Sequence, residues 1–253
     1  MPALVSFPSG NLTLSGFLHR PAGPGPFPAI SWNHGSERQP DSADALGAFY
    51  ASHGFVLFVP HRRGHGESPG EYFADDLERR ARAVSSDTAE YRRKIVELVI
   101  ELHELHLRDT ISALEWLGQQ RYVDAGRLVM SGVSFGGIQT VLAAEADAGA
   151  GAYVPFAPAA MAWDSSPQLR ERLLRAVQGA ARPMFLLQAE NDYSLGPSEV
   201  LGAELHHKGE PNRSRIYPPY GETPQSGHGG FACDGTDVWG DDVRAFLDVA
   251  LSA

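Results

Sequence analysis

A chain of 253 residues with 43% hydrophobic content can bury a sizeable core as one large domain, or one domain with a small insertion. Its formal net charge of -10, with no basic stripe, argues against nucleic acid and anionic membrane surfaces as partners, because both recruit concentrated Lys and Arg. Cys233 is the single cysteine, which excludes an intrachain disulfide, and its Phe-Ala-Cys-Asp-Gly context reads as a loop with an incidental or buried thiol. No stretch approaches the roughly 18 apolar residues of a membrane span, and the N-terminus has no basic segment followed by a long apolar run. The expectation is a soluble, cytoplasmic protein without a membrane span.

In chain order, residues 3–7 and 11–19 alternate as a hairpin would around Pro8-Ser-Gly-Asn11. Pro28 to His34 reads as a buried strand. Residues 41–53 fit a helix capped by Asp41 or Ser42 and stopped by Gly54. Phe55 to Val59 is the next strand, closed by Pro60. The alternation of strand and helix predicts a largely parallel sheet covered on both faces. Glu71 to Ala83 is charged and reads as helical. Thr88 to Gln119 reads as one or two long helices, with Ile95, Leu98, Val99, Leu102, Leu105, Leu107, Ile111, Leu114 and Leu117 forming an apolar stripe. The segment 71–108 is longer than a usual crossover and reads as a helical insertion or a partial lid. The apolar face over 90–118 fits either a lid hinge or a homodimer surface.

The run Arg127-Leu-Val-Met-Ser-Gly-Val-Ser134-Phe-Gly-Gly137 is the most informative in the chain. A short apolar run ends in a serine boxed by glycines, and a helical pattern follows at once. That is the layout of a nucleophile elbow, in which a sharp strand-to-helix turn lifts the serine hydroxyl off the sheet. Further on, Gly151 to Phe156 is a short strand candidate interrupted by Pro155. Residues 167–179 read as an amphipathic helix, Pro183 to Gln188 as a strand, 197–208 as a helix, Arg213 to Tyr217 as a strand, and 236–250 as the last helix.

Asp192 lies just past the strand that ends at Gln188, and His228 lies in Ser226-Gly-His-Gly-Gly-Phe231, read as a flexible loop. The order Ser134, Asp192, His228 is the triad order of an α/β-hydrolase. In that arrangement His228 takes the serine proton, and Asp192 fixes the imidazole tautomer and stabilises the imidazolium. The oxyanion donors expected are the backbone N–H groups of Phe135 and of Ser36 in Asn33-His34-Gly35-Ser36, with Glu37 as the neighbouring alternative. His34 reads as loop support.

Together these residues resemble the α/β-hydrolase superfamily, near the dienelactone hydrolases and the catalytic domains of prolyl-oligopeptidase-like serine hydrolases. The resemblance rests on Asn33-His-Gly-Ser36, Pro60-His-Arg-Arg-Gly-His-Gly-Glu-Ser68, Asp109 followed by Trp116-Leu117, Gly132-Val-Ser-Phe-Gly136, Ala189-Glu-Asn-Asp192 and Gly227-His-Gly229. It covers about residues 10 to 250 and implies an α/β-hydrolase fold over 1–253, with a mostly parallel central sheet and helices on both faces. Dienelactone hydrolases commonly use a cysteine nucleophile where this chain has Ser134, so the likeness is closer to an esterase. Prolyl oligopeptidases carry a propeller, and the expectation here is a hydrolase core without one, which points away from an oligopeptidase.

Other motifs read as structural. His103-Glu-Leu-His106 puts its histidines three apart rather than the four of a zinc-protease helix, and reads as a solvated or packing face. His206-His207 reads as a helix end, and Arg63-Gly-His-Gly66 as a tight turn. Arg62 and Arg63 either bind a substrate carboxylate or, as favoured here, pair structurally with Glu67, Glu71 or Asp75. Trp163 and Tyr193 either wall a substrate pocket or simply pack. No metal and no organic cofactor is expected. The function expected is serine-dependent hydrolysis of small or medium carboxylic esters through an acyl-enzyme. The alternatives are a short-peptide or amide hydrolase and a non-enzymatic ligand-binding scaffold.

Overall fold

The computed structural model describes residues 2–83 and 88–252. The chain opens with β1 (Ala3–Ser9) and β2 (Leu12–His19), which pair antiparallel with Ser9 opposite Leu12. Then come β3 (Phe27–Asn33), α1 (Asp44–Ser52), β4 (Val56–Pro60), α2 (Phe73–Ala81), α3 (Thr88–Gly118) and β5 (Val123–Val133). α4 (Phe135–Glu145), β6 (Ala152–Phe156), α5 (Pro167–Gly179) and β7 (Phe185–Ala189) continue the alternation. A π-helical turn at Pro197–Leu201 runs into α6 (Gly202–Lys208), followed by β8 (Arg213–Tyr217). A second π-helical turn at Ser226–Gly230 leads into α7 (Phe231–Asp234) and α8 (Thr236–Ala250).

The eight strands form one sheet in the order β1-β2-β4-β3-β5-β6-β7-β8. β1–β2 and β2–β4 are antiparallel, and the remaining neighbours are parallel. The central strands are apolar throughout because both faces are covered. In β4, Val56 and Phe58 join one core while Leu57 and Val59 join the other. The first core packs against α3, α4, α5 and α6 through Leu114, Leu142, Leu173 and Leu205. The second packs against α1 and α8 through Leu46, Tyr50, Trp239 and Phe246.

Local departures from the sequence reading have identifiable causes. α1 is not capped by Asp41 or Ser42. Its N-cap is Ala43 in the left-handed region at φ 51, stabilised by the Asp41 carboxylate accepting the Ala43 N–H at 2.9 Å. Gly54, at φ 80, follows the helix as expected. β6 runs through Pro155 as a central strand. Tyr153 N–H donates to the Pro183 carbonyl and Ala157 N–H to that of Leu187, so the N–H that Pro155 lacks is the one that would bridge to β7 between them. The ladder there is correspondingly split between Tyr153–Met184 and Phe156–Leu187.

The segment 88–118 is a single helix of 31 residues. From Leu102 onward it buries Leu102, Leu107, Leu114 and Leu117, whereas Ile95, Leu98 and Val99 are only partly covered. Residues 84–87, within the segment read as an insertion, lie outside the described residues. Among the described residues no helix is long and apolar enough to cross a membrane.

Candidate active site

Ser134 occupies the step between β5 and α4, at φ 58 and ψ -114. A non-glycine residue there is strained, and two hydrogen bonds hold it: its N–H donates to the Phe156 carbonyl at 3.0 Å, and its carbonyl accepts from Ile138 N–H at 3.0 Å. The flanking glycines are required by space. A Cβ at Gly132 or Gly136 would overlap the Asn33 carbonyl, because the end of β3 passes directly against the turn. Asn33 also donates from Nδ2 to the Ser131 carbonyl at 3.0 Å, which ties β3 to β5 at this level.

Asp192 follows β7, and its side chain is fully buried. One carboxylate oxygen, Oδ1, accepts from His228 Nδ1 at 2.8 Å and from Tyr193 N–H at 2.6 Å, while Oδ2 accepts from Gln188 Nε2 at 3.0 Å. Because a carboxylate can only accept, His228 carries its proton on Nδ1 and keeps a lone pair on Nε2. That Nε2 is buried and makes no hydrogen bond among the described residues. His228 does not sit in a flexible loop: it lies in the π-helical turn Ser226–Gly230. The Asn191 side chain fixes this turn by donating to the carbonyls of Tyr220, Gly221 and Thr223 and accepting from Tyr220 N–H.

Gln188 and Asn191 are positioning residues that the sequence reading did not single out. Their place beside the acid in Gln188-Ala-Glu-Asn-Asp192 was the available signal. Gln188 also donates to the Ser194 carbonyl at 2.6 Å and accepts from Ser198 Oγ at 2.8 Å, so its amide is committed on both sides.

Ser36 follows β3, and Phe135 is the first residue of α4, where backbone N–H groups have no carbonyl one turn back. Behind them lies Arg62, with no exposed surface. Its guanidinium donates to the carbonyls of His34 at 2.9 Å and Gly35 at 2.6 Å, which makes its role structural, although its partners are not the acids expected. Burial pulls its pKa down to about 10, still cationic at neutral pH. Arg63 also pairs elsewhere than expected, with Asp109, through Nε at 2.8 Å and Nη2 at 2.7 Å. The other acids are committed or apart: Glu71 to Arg79, and Asp75 to Arg38. His34 supports the loop from within, and burial together with Arg62 holds its pKa well below the ordinary value.

A cavity of about 430 Å³ opens beside Ser36, Ser134 and Phe135. Its walls include Phe73 from α2, Val99 from α3, Ile138 from α4 and Leu169 from α5. Trp163 is not a wall residue: it packs in the core with its indole against Gly196. Tyr193 packs its ring on His228 at 5.4 Å and donates to Gln225 Oε1 at 3.0 Å. His103 and His106 are both buried, so they are a packing face and not a solvated one. Among the described residues no cluster of His, Cys, Asp and Glu could hold a metal. Cys233 lies in α7 instead of a loop, and burial raises its pKa to about 12, which suppresses the thiolate.

This sheet order, with a serine-bearing elbow after the fifth strand, defines an α/β-hydrolase. The chain belongs to the S15 peptidase family: the family model described as X-Pro dipeptidyl-peptidase matches residues 12–204. No curated protein matches its sequence. Among solved structures it is similar to an acylaminoacyl peptidase of Pyrococcus horikoshii, at TM-score 0.60 and 19% identity over 89% of this chain. It spans only 38% of that peptidase's length. An α/β-hydrolase from Penicillium sp. sh18 aligns over 100% of both chains at TM-score 0.67 and 16% identity. An esterase of Pyrococcus furiosus aligns over 98% of this chain and 92% of its own at TM-score 0.67 and 14% identity. The chain therefore shares the α/β-hydrolase fold with these proteins.

Proposed function

We propose that the protein is a serine-dependent hydrolase of small or medium carboxylic esters, with Ser134 as nucleophile, His228 as base and Asp192 as its orienting acid. The observation that carries this reading is the His228–Asp192 bond, which commits Nδ1 and leaves the basic Nε2 for the serine proton. Ser134 attacks the ester carbonyl as His228 removes its proton. The tetrahedral oxyanion is received by the N–H groups of Ser36 and Phe135. His228 then protonates the departing alcohol, and water activated by the same histidine releases the acid from the acyl-enzyme. The apolar cavity beside Ser134 suits an apolar acyl group. We read 1–253 as one hydrolase domain in which α2 and the start of α3 form a partial lid, since Phe73, Ile95, Val96 and Val99 all wall that cavity.

A second reading, cleavage of short peptides or X-Pro amides, is favoured by one observation. Glu37, Glu71 and Asp75 could each anchor a substrate amine, and of these three only Glu37 is not engaged by an arginine hydrogen bond; it accepts from Gly35 N–H at 3.1 Å and is half-exposed. Turnover of matched acyl esters and aminoacyl amides, with the wild type and Ser134→Ala, separates the two. Ester turnover lost in the variant, with negligible amide turnover, is expected. Strong Ser134-dependent amide turnover moves the assignment to a peptidase. Failure of a fluorophosphonate to label Ser134 in folded protein leaves a ligand-binding scaffold.

A further inference from the structure

His103 projects from α3 into the wall of the cavity beside Ser134. Its ring lies between two phenylalanines, 4.4 Å from Phe135 and 5.4 Å from Phe73, measured between centroids. The residue is only 4% exposed. The wall also carries Ser36, Ser134, Ser165 and Ser166 but is mostly apolar, and a buried imidazole in it is costly unless it serves a purpose.

The tautomer follows from Gln139 on α4. Gln139 Nε2 donates to the His103 carbonyl at 3.3 Å, which fixes the amide, because the reversed amide would set two carbonyl oxygens against each other. The same Nε2 lies 3.1 Å from His103 Nδ1, so Nδ1 is the acceptor. The ring proton is then on Nε2. Unlike both ring nitrogens of His61 and Nε2 of His65, His103 Nε2 is not fully occluded, and it has no hydrogen bond among the described residues. With Nδ1 turned toward Gln139, the cavity is what Nε2 reaches.

We propose that His103 Nε2–H is a substrate-recognition donor inside the acyl pocket, so that the enzyme selects apolar acyl groups carrying an uncharged oxygen acceptor, such as an ether, a ketone or a hydroxyl. The proposal rests on Ser134 being the nucleophile. Burial pulls the His103 pKa down to about 3, so the ring stays neutral and offers a donor without a charge. A carboxylate on the acyl group would enter a mostly apolar cavity whose wall, among the described residues, holds no Lys or Arg, and is disfavoured on desolvation grounds. An oxygen acceptor satisfies the donor, whereas the matching methylene leaves it buried and unpaired.

The test uses the full chain and medium-length para-nitrophenyl alkanoates in which each methylene is replaced in turn by oxygen. At one position the ether should exceed the all-carbon ester in kcat/KM by about tenfold. His103→Met should abolish that ratio, and His103→Gln, whose amide restores a donor near the Nε2 position, should retain most of it. The ratio is internal to each variant, so changes in yield or stability cancel. The proposal is overturned if no ether position is preferred, or if the preference survives in His103→Met. Turnover that survives Ser134→Ala instead overturns the nucleophile assignment. Independently of turnover, long-range proton–nitrogen spectra of the free protein should show His103 protonated at Nε2, and protonation at Nδ1 overturns the proposal.

Discussion

The Arg62 guanidinium carbon lies 4.6 Å from the centroid of the Phe135 ring, while the same guanidinium holds the carbonyls of His34 and Gly35. One buried cation thus braces both segments proposed to supply oxyanion donors: the turn leading to Ser36 and the first residue of α4. A planar, multidentate donor is required for this, which a lysine ammonium cannot reproduce. Arg62→Lys is expected to lower kcat on a short ester by about 100-fold with little change in KM, a loss comparable to removing one oxyanion donor. A variant whose KM rises while kcat holds would instead place Arg62 in ground-state binding.

Arg63 and Asp109 form a second buried anchor. Asp109 accepts from Ser9 Oγ at 2.6 Å and from the Arg63 backbone N–H at 3.0 Å, besides the two guanidinium contacts. It therefore joins β1, α3 and the turn after β4. Asp109→Asn removes the charge and leaves Arg63 partly buried without its partner, at an expected cost of about 3 kcal/mol. Urea unfolding should show a lower midpoint with an unchanged m-value. An unchanged midpoint would mean that solvent already screens the pair.

Much of this architecture was legible because each apolar run has a length and period that only one element satisfies. α5, β8 and α8 fall on the segments expected from periodicity and capping. The elbow was legible because Gly132 and Gly136 are dictated by the nearby Asn33 carbonyl, a constraint that leaves a sequence trace. The helical turn at His228 was not, because three glycines in Ser226–Gly230 disfavour helix by about 1 kcal/mol each. Tertiary contacts override that preference there: a Cβ at Gly227 would meet Asn191, so the glycine allows the turn to pack on the acid loop. The partners of Arg62 and Arg63 were illegible for another reason. Backbone carbonyls carry no sequence signature, and Asp109 lies 46 residues from Arg63, brought near only by the course of α3.

Gln188 reaches the proposed base only through Asp192. Its Nε2 bond to Oδ2 leaves Oδ1 to face His228. Asp192→Asn, which can present a donor to the imidazole and favour the wrong tautomer, should lower kcat by about 10⁴. Gln188→Leu removes one bond to the carboxylate and should lower kcat about tenfold at constant KM. Steady-state kinetics on a short ester check both. Equal losses in the two variants would show that Gln188 acts by holding the fold and not by orienting the acid.

The histidines beneath the site set a limit on acid stability. Burial, reinforced by Arg62, lowers the pKa of His61 to about 4 and that of His65 to about 3; His103 is lowered likewise to about 3, and His106 falls further still. Unfolded, each binds its proton near 6.5, whereas the folded rings resist it down to those lower values. Below pH 6.5 the unfolded chain therefore holds more protons, so stability falls as pH drops toward 4. Each such group can contribute a slope of up to about 1.4 kcal/mol per pH unit. Thermal unfolding between pH 7 and pH 5 should show this decline even where the proposed catalytic groups are unaltered. His61 is the cleanest probe, because neither ring nitrogen has a hydrogen-bond partner among the described residues, so His61→Leu removes no bond seen there. That variant should unfold with a shallower pH dependence than the wild type, and an unchanged slope would assign the acid sensitivity to the other rings of the cluster.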